Sequence, residues 1–379
     1  MKILAVTHIF PFRANPQEGV FNAAQIAEVA KLAQITLLTP VRWTLMFRKG
    51  GPSASPSTAA VFEHRSPLYL YPPGILRGYH GHFYLASIRR AAANARKRTQ
   101  FDLVYGMFAF PDGWAAARLA KKWGLPFVLK VHGSDVHQLR SDPARVARLI
   151  EVIRSARRVI AVSEALGREV REIVPEVSVT VVRNGVDLDT FSPGSAQDAR
   201  KRLDLDPKRP VVLFAGRLEK VKGADFLPQI ATGLKTKVRW VVIGRGALSA
   251  SLRREMTGQD VRWVAEVPHA DLVPWYRAAD VVVIPSRNEG LPNVLLEALA
   301  CGRPVVAART GGVSEVLTDP GVGSLVEPED IASFSREIDH WAVRPHEEEK
   351  CRALVSGRSW GQSGKDVLDV LEEAAAGRC

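Results

Sequence analysis

The sequence predicts an α/β fold of two doubly wound, Rossmann-like domains, and three observations predict it. Short β-branched runs alternate with longer helical patterns along all 379 residues. Those runs are near-continuously apolar, as strands of a parallel sheet must be when helices cover both faces. The alternation also occurs twice, with a turn-rich, charged stretch, FSPGSAQDAR, between the two series.

In the first series the strand candidates are KILAVT, ITLLTPV, DLVYGM, FVLKVHG, VIAVS and VTVVRNG. In the second they are VVLFAG, VRWVVIG, VRWVAE, VVVIPS, PVVAAR and SLVEP. Helical patterns such as PDGWAAARLAKKWG and ADLVPWYRAAD separate them. Pro193 and Gly194 mark the boundary, giving domains over 1–192 and 193–357. The stretch from Arg42 to Gly81, with GGPSASPS and YPPG in it, is expected to be an irregular excursion. Two such domains would face each other across a cleft, and open α/β sheets bind ligands beyond the carboxyl ends of their strands. The residues just after each strand are therefore the ones to inspect.

Composition narrows the class. With 46% hydrophobic and 24% charged residues the chain reads as soluble and globular. It has no apolar run long enough to span a bilayer, a length of about 18 residues or more. MKILAVTHIF is too short and too broken, by His8 and Pro11, for a signal peptide. Three cysteines without metal spacing read as reduced thiols of a cytoplasmic protein. The net charge is +12, and all of it lies in residues 1–194, which carry 26 basic and 14 acidic residues; the remainder carries 26 of each. The densest cluster is Arg89, Arg90, Arg96, Lys97 and Arg98. Such asymmetry favours a polyanionic partner, either nucleic acid or an anionic membrane surface.

Four strand ends carry the chemistry. After VVLFAG, Arg217 and Lys222 lie five apart and Gly223 opens a helix. A guanidinium and an ammonium beside free backbone N–H groups would suit a diphosphate, although two solvated surface charges would look the same. After VVVIPS, Glu289-Gly290-Leu291-Pro292 reads as a turn entering a helix with Pro292 at its first position, and the amides of Gly290 and Leu291 would face a ligand. Glu297 lies inside that helix amid VLLEALA, where a buried carboxylate needs partners; ligand hydroxyls would serve, as would one solvent stripe. After FVLKVHG, His132 would project from its strand, with Asp135 placed to orient it, and a structural role is equally open. After the first strand, Gly19 precedes an amphipathic helix, allowing a close backbone approach to ligand or simply a helix-entry turn. Asp187-Leu188-Asp189 and Asp204-Leu205-Asp206 match a D-x-D metal pattern but sit where turns favour Asp anyway. GRG at 244–246 lacks the rest of a dinucleotide fingerprint, and no Cys/His cluster implies zinc, so neither a cofactor nor a metal is expected.

Together these segments resemble the retaining glycosyltransferases of family four, with the two-domain architecture called GT-B. PDGWAAARLAKKWGLPFVLKVHGSDV, VVRNGVDLDTFSP, GRLEKVKG and PSRNEGLPNVLLEALACGRPVVAARTGGVSE carry the resemblance, the last with two glutamates separated by seven residues. The resemblance implies that Arg217 and Lys222 bind the diphosphate of a nucleotide-sugar donor and stabilise the leaving group without a metal. It implies that Glu289 and His132 contact the donor sugar, and that Gly290 and Leu291 offer amides to sugar or phosphate. Glu297 would hold the ribose hydroxyls, and Gly19 would lie beside donor or acceptor. A final helix over 358–379 would cross back to the first domain. Backbone around 241–246 and 266–268 would read the base. Relatives commonly carry paired glycines where only Gly19 stands, after Glu18. The first domain would then bind a lipid-linked or cell-envelope acceptor, and with Tyr79, Phe83 and Tyr84 beside the basic cluster it would dock peripherally on an anionic membrane from the cytoplasmic side. The rivals are a basic nucleic-acid-binding protein, for which no binding motif is present, and a sugar phosphorylase or nucleotide-sugar epimerase of the same architecture.

Overall fold

A computed structural model describes residues 1–13, 15–47, 62–140 and 143–377. The strands, in chain order, are β1 (Lys2–Val6), β2 (Gln34–Leu38), β3 (Val41–Arg42), β4 (Glu63–Arg65), β5 (Leu68–Tyr69), β6 (Leu103–Met107), β7 (Phe127–Val131), β8 (Arg158–Ala161), β9 (Val179–Val181), β10 (Val211–Ala215), β11 (Arg239–Ile243), β12 (Val261–Val264), β13 (Val281–Ile284), β14 (Val305–Ala308) and β15 (Gly323–Val326). The helices are α1 (Val20–Ala30), α2 (His80–Arg98), α3 (Trp114–Trp123), α4 (Ser134–Arg140), α5 (Pro143–Ser155), α6 (Glu164–Ile173), α7 (Ala196–Arg202), α8 (Leu227–Gly233), α9 (Ser249–Glu255), α10 (Val273–Ala278), α11 (Asn293–Ala300), α12 (Ile331–Trp341), α13 (Glu348–Ala353) and α14 (Trp360–Ala375). Each apolar run read from the sequence forms a strand, and every named strand pairing is parallel.

The chain divides into two compact units, 1–184 with 360–379, and 185–359. In the first, a sheet of order β4-β2-β1-β6-β7-β8-β9 is covered on one face by α1 and α14. Ile26 and Val29 of α1 and Val367 and Leu371 of α14 share one core with Ile3, Leu103 and Ile160. The returning C-terminal helix is thus an integral layer of this unit. The second unit is a sheet of order β12-β11-β10-β13-β14-β15, with Trp240, Val242, Val283, Phe334 and Trp341 in its core. In both sheets the order reverses beside the first strand of the series, the switch-point arrangement of doubly wound folds.

Two expectations change. The segment 185–192 belongs to the second unit: Val186 donates its N–H to Arg358 O, and the Phe191 ring lies against Tyr276 and His269. The sequence placed the boundary at 192/193 because Pro193 and Gly194 are the conspicuous turn-formers, whereas packing decides membership. Of the three aromatics expected on a docking face, Tyr79 is exposed, Phe83 is half-buried and Tyr84 is fully buried in the α2 core face. The excursion from Arg42 to Gly81 supplies β3, β4 and β5, with β4 joining the edge of the main sheet beside β2; its stretch 48–61 lies outside the described residues.

One polar thread crosses the first core. The Lys130 ammonium, on β7 and 1% exposed, donates to Gln25 Oε1 at 2.5 Å; Gln25 Nε2 donates to Ser363 Oγ at 2.8 Å, and Ser363 donates to Arg183 O at 2.7 Å. Burial without a carboxylate partner pulls the Lys130 amine down to about 7.

Candidate active site

In the second unit the functional side chains sit on the loops after β10 and β13, strands paired side by side. Gly223 (φ +66°) makes the junction possible: a Cβ there would lie 1.8 Å from Pro285 O, so only glycine lets the two loops meet. Arg287 then fastens them. Its backbone N–H donates to Val221 O at 3.0 Å, and its guanidinium grips Asp225 through two bonds of 2.7 and 2.9 Å. The same guanidinium lies 3.9 Å over the Phe226 ring.

That junction brings Lys222 onto Glu289. The ammonium reaches both carboxylate oxygens, at 2.7 and 2.9 Å, and Ser286 Oγ adds a third donor to Oε1 at 2.7 Å. Glu289 is 8% exposed, so its charge is held by these partners instead of water. A lysine has three N–H donors and two are spent here, leaving one for an incoming anion. Beside the pair, the N–H groups of Gly290 and Leu291 make no hydrogen bond among the described residues, while Gly290 O accepts from Gly312 N–H at 2.7 Å.

Arg217 stands differently. It follows β10 as expected, but its guanidinium pairs with its neighbour Glu219 at 2.8 Å and is 55% exposed. Of the amides around Gly223, those of Lys222, Gly223, Ala224 and Phe226 donate to turn carbonyls at Glu219, Lys220, Glu219 and Gly223. A tight 3-10 turn uses its own N–H groups, which leaves the side chains as the cationic contribution of this loop.

Glu297 is the fifth residue of α11, and Pro292 caps that helix from outside instead of opening it. Both carboxylate oxygens are engaged by side chains the sequence analysis did not single out. His269 Nε2 lies 2.8 Å from Oε1, and Tyr276 OH donates to Oε2 at 2.6 Å. Burial lowers the His269 pKa, but the bond and charge of Glu297, with Asp187 behind, outweigh it and leave the imidazole above its ordinary value. Each Glu297 oxygen keeps accepting capacity beyond these bonds, and His269 beside it is one-third exposed. Both partners lie in VPHADLVPWYRAAD; their polar positions were visible, their target 21 to 28 residues away was not.

In the first unit, His8, Phe108 and His132 stand just after β1, β6 and β7, three strands paired in that order. The His132 ring stacks on Phe108 with centroids 4.3 Å apart and meets Phe21 at 5.2 Å. Its Nε2 is buried without a partner. Burial, then the charges of Lys130 and His8, push its pKa well below the usual histidine value, so the ring is neutral. Asp135 does not orient that ring. It accepts the backbone N–H groups of His132 at 2.9 Å and Ala109 at 2.8 Å, pinning the two strand ends to each other. Gly19 (φ +74°) caps α1, and a Cβ there would meet Ile9 O at 2.6 Å. The close approach it permits is therefore to the chain's own loop after β1.

Among the described residues no group of three or more His, Cys, Asp or Glu side chains converges on a metal position. Asp187 caps a turn, accepting from the N–H groups of Asp189 and Thr190 and from the Thr190 hydroxyl, while Asp206 accepts from Lys208 N–H.

Two parallel doubly wound units with paired charged groups at their strand ends give the GT-B fold class, and comparison supplies the family. The fold is similar to that of Anabaena HepE in complex with UDP-glucose, with a TM-score of 0.75 at 20% identity, covering 98% of this chain and all of that one. It is likewise similar to that of a Thermosynechococcus elongatus sucrose-phosphate synthase, with a TM-score of 0.74, covering 99% and 96%. Residues 42–190 match the family described as Glycosyltransferase Family 4, and residues 209–342 the one described as Glycosyl transferases group 1. A Bacillus subtilis protein named for teichuronic acid biosynthesis, TuaC, is 31% identical over 90% of this chain and 89% of its own. The D-inositol 3-phosphate glycosyltransferase of Streptosporangium roseum is 34% identical over 73% and 70%. The chain belongs to glycosyltransferase family 4, and it is a glycosyltransferase.

Proposed function

We propose that the protein transfers a sugar, with retention at the anomeric carbon, from a nucleotide-sugar donor to a cell-envelope or lipid-linked glycan acceptor. The observation that carries this reading is the Lys222–Glu289 pair flanked by the unbonded N–H groups of Gly290 and Leu291. A carboxylate that receives sugar hydroxyls, an ammonium with a spare donor and two open amides suit a glycosyl diphosphate. Lys222 and Arg217 receive the charge that develops on the departing diphosphate, so the reaction needs no resident metal. Arg217 first exchanges Glu219 for phosphate, an inexpensive step at a half-exposed pair. Glu297 holds the ribose hydroxyls while His269 and Tyr276 fix its orientation. His132 contacts the donor sugar, and Gly19 lies near donor or acceptor. The departing diphosphate takes the acceptor proton.

The relatives named for teichuronic acid and inositol phosphate favour a polyhydroxyl acceptor, and the UDP-glucose complex of HepE makes UDP the first nucleotide to test. Melting-point shifts with UDP-, GDP- and ADP-sugars identify the donor, because a ligand bound only to the folded state raises the melting point. Anomeric proton couplings of the product then read the stereochemistry. An inverted product removes the retaining assignment, and no shift with any donor removes the reading as a whole.

The basic unit gives the acceptor side a second property. No described helix is long and apolar enough to cross a membrane. Leu70, Ile75, Leu76 and Tyr79 are each more than half exposed, next in sequence to α2 with its exposed Arg89 and Arg90. Apolar tips beside cations suit peripheral docking on an anionic leaflet at the cytoplasmic face. Sedimentation with anionic and neutral liposomes tests it; equal binding, or none, removes it.

A further inference from the structure

We propose that Phe191 and Asp187, on the turn that opens the second unit, are positioning residues of the nucleotide subsite: they hold His269 against Glu297 and so fix the carboxylate that receives the ribose hydroxyls. The turn lies in VVRNGVDLDTFSP, a segment that carries the family resemblance while none of its side chains has a task. Phe191 is 1% exposed. Its ring meets the His269 ring at 5.0 Å between centroids and the Tyr276 ring at 5.9 Å. Those are the two side chains bound to Glu297, with His269 Nε2 at 2.8 Å from Oε1 and Tyr276 OH at 2.6 Å from Oε2. One apolar ring from the turn therefore backs both partners of one carboxylate. A side chain already held in place has met its ordering cost before a ligand arrives, and this preorganises a site.

A second observation is that the turn is itself fastened around Phe191. Arg352 donates from Nη2 to Leu188 O at 2.8 Å and from Nη1 to Phe191 O at 3.1 Å. Arg277 donates from Nε to Ser192 O at 2.9 Å. Charged donors make stronger bonds than neutral ones, whereas connecting segments are ordinarily the mobile part of a fold. Two guanidiniums committed to three carbonyls of this connection keep the Phe191 ring in place.

Asp187 contributes charge. Its carboxylate accepts the N–H groups of Asp189 and Thr190, which holds it at the start of the turn. Burial works against a charged His269, but the hydrogen bond and charge of Glu297, followed by the charge of Asp187, raise its pKa. The titratable groups around the ring are Glu297 on α11, Asp187 in the turn and, through Glu297, Tyr276 on α10. Two carboxylates favour a proton on Nε2, so His269 donates and Glu297 keeps capacity to accept from hydroxyls.

The inference rests on the reading that Glu297 holds the ribose. Phe191 is closed off from solvent, so it acts through His269 and Tyr276. The ribose is held alike in the ground state and the transition state, so a loosened holder raises KM and leaves kcat nearly unchanged. That separates the turn from Lys222, whose loss falls on kcat.

Calorimetry on the full chain tests this with UDP, GDP and ADP, and with the 2′-deoxy and 3′-deoxy analogues of the tightest binder. In the wild type, removing a hydroxyl that Glu297 receives should weaken binding roughly tenfold. In Phe191→Ala the parent nucleotide should bind roughly tenfold weaker and the deoxy penalty should fall below about threefold. Phe191→Leu keeps most of the apolar volume and should recover part of both. Asp187→Asn keeps a turn acceptor and loses the charge. By imidazole NMR, with His269 assigned by His269→Gln, the His269 pKa should then move down toward its ordinary value. If Phe191→Ala fails to fold, Phe191→Leu and Asp187→Asn decide. A full deoxy penalty in the folded Phe191 variants, or an unmoved His269 pKa in Asp187→Asn, overturns the proposal. If neither analogue loses affinity in the wild type, or Glu297→Ala keeps the full penalty, the reading of Glu297 fails and the proposal with it. A penalty that needs Glu297 but not Phe191 sinks this inference alone.

Discussion

The strand ends of the two units are built on opposite principles. In the second unit the ionisable groups are paired with one another: Lys222 with Glu289, His269 and Tyr276 with Glu297, Arg217 with Glu219. In the first, buried polar atoms of Asp112, Asn22 and His132 have no partner, and Lys130 is buried with one amide oxygen. A paired charge is cheap to keep and must trade or share its partner when ligand arrives. An unpaired buried acceptor is costly in the free chain and gains a full hydrogen bond on binding. The strand-end charges of the second unit are therefore matched within the chain, whereas the first unit leaves buried polar atoms unmatched among the described residues.

The comparison is most exposed at the Lys222 cation. Arg217→Ala with Lys222→Ala should abolish turnover, since removal of one preorganised charge-stabilising donor already costs about 10²–10³-fold. Lys222→Ala alone should show most of that loss, because of the two cations Arg217 pairs with its neighbour Glu219 and only Lys222 reaches the buried Glu289. Wild-type rates in the double variant, by coupled release of the nucleoside diphosphate, would contradict the diphosphate assignment.

Next comes Glu297→Ala, which removes the acceptor of both His269 and Tyr276. Nucleotide binding should weaken about 10–100-fold, the usual consequence of losing a hydrogen bond to a charged group. Glu297→Gln, which still accepts from Tyr276, should lose less. Calorimetry with the nucleotide chosen by the donor screen separates the two.

A smaller effect belongs to Lys130. Its amine is lowered to about 7 when folded, so between roughly pH 7 and 10 the unfolded chain binds more protons and stability rises with pH. Lys130→Met should flatten that rise, whose limit is on the order of 1 kcal/mol per pH unit. Urea midpoints across the range decide it, and an unchanged slope would place the charge elsewhere.

The smallest is at His269. Its pKa is raised in the folded state, so its stabilisation is complete below the ordinary histidine value of roughly 6.5 and disappears as pH rises through the raised one. The urea-midpoint gap between wild type and His269→Gln should narrow toward alkaline pH. A constant gap would mean that the ring acts by packing on Phe191 alone.

The strands were legible because β-branched, continuously apolar runs such as VVLFA and VVVI have one stable use, the buried interior of a parallel sheet. Glu289, Glu297 and Lys222 were legible because they follow or interrupt such runs. Asp112 was not: it sits in PDGW, at the start of a helical pattern where it drew no role, and only the fold shows it closed off from water beside His8. His269 drew no reading from the sequence, and Asp135 was read as a ring partner when it binds backbone.

The amino-acid order alone determined the alternation of strand and helix, the doubling of that pattern, and which strand ends carry charge, since each is written in spacings of a few residues. Tertiary structure decided which charges meet and which stay unpaired. Lys222 finds Glu289 across 67 positions because the sheet sets β10 against β13, and a glycine at 223 lets their loops touch. Pairing depends on strand order and loop clearance, and neither has a local signature along the chain.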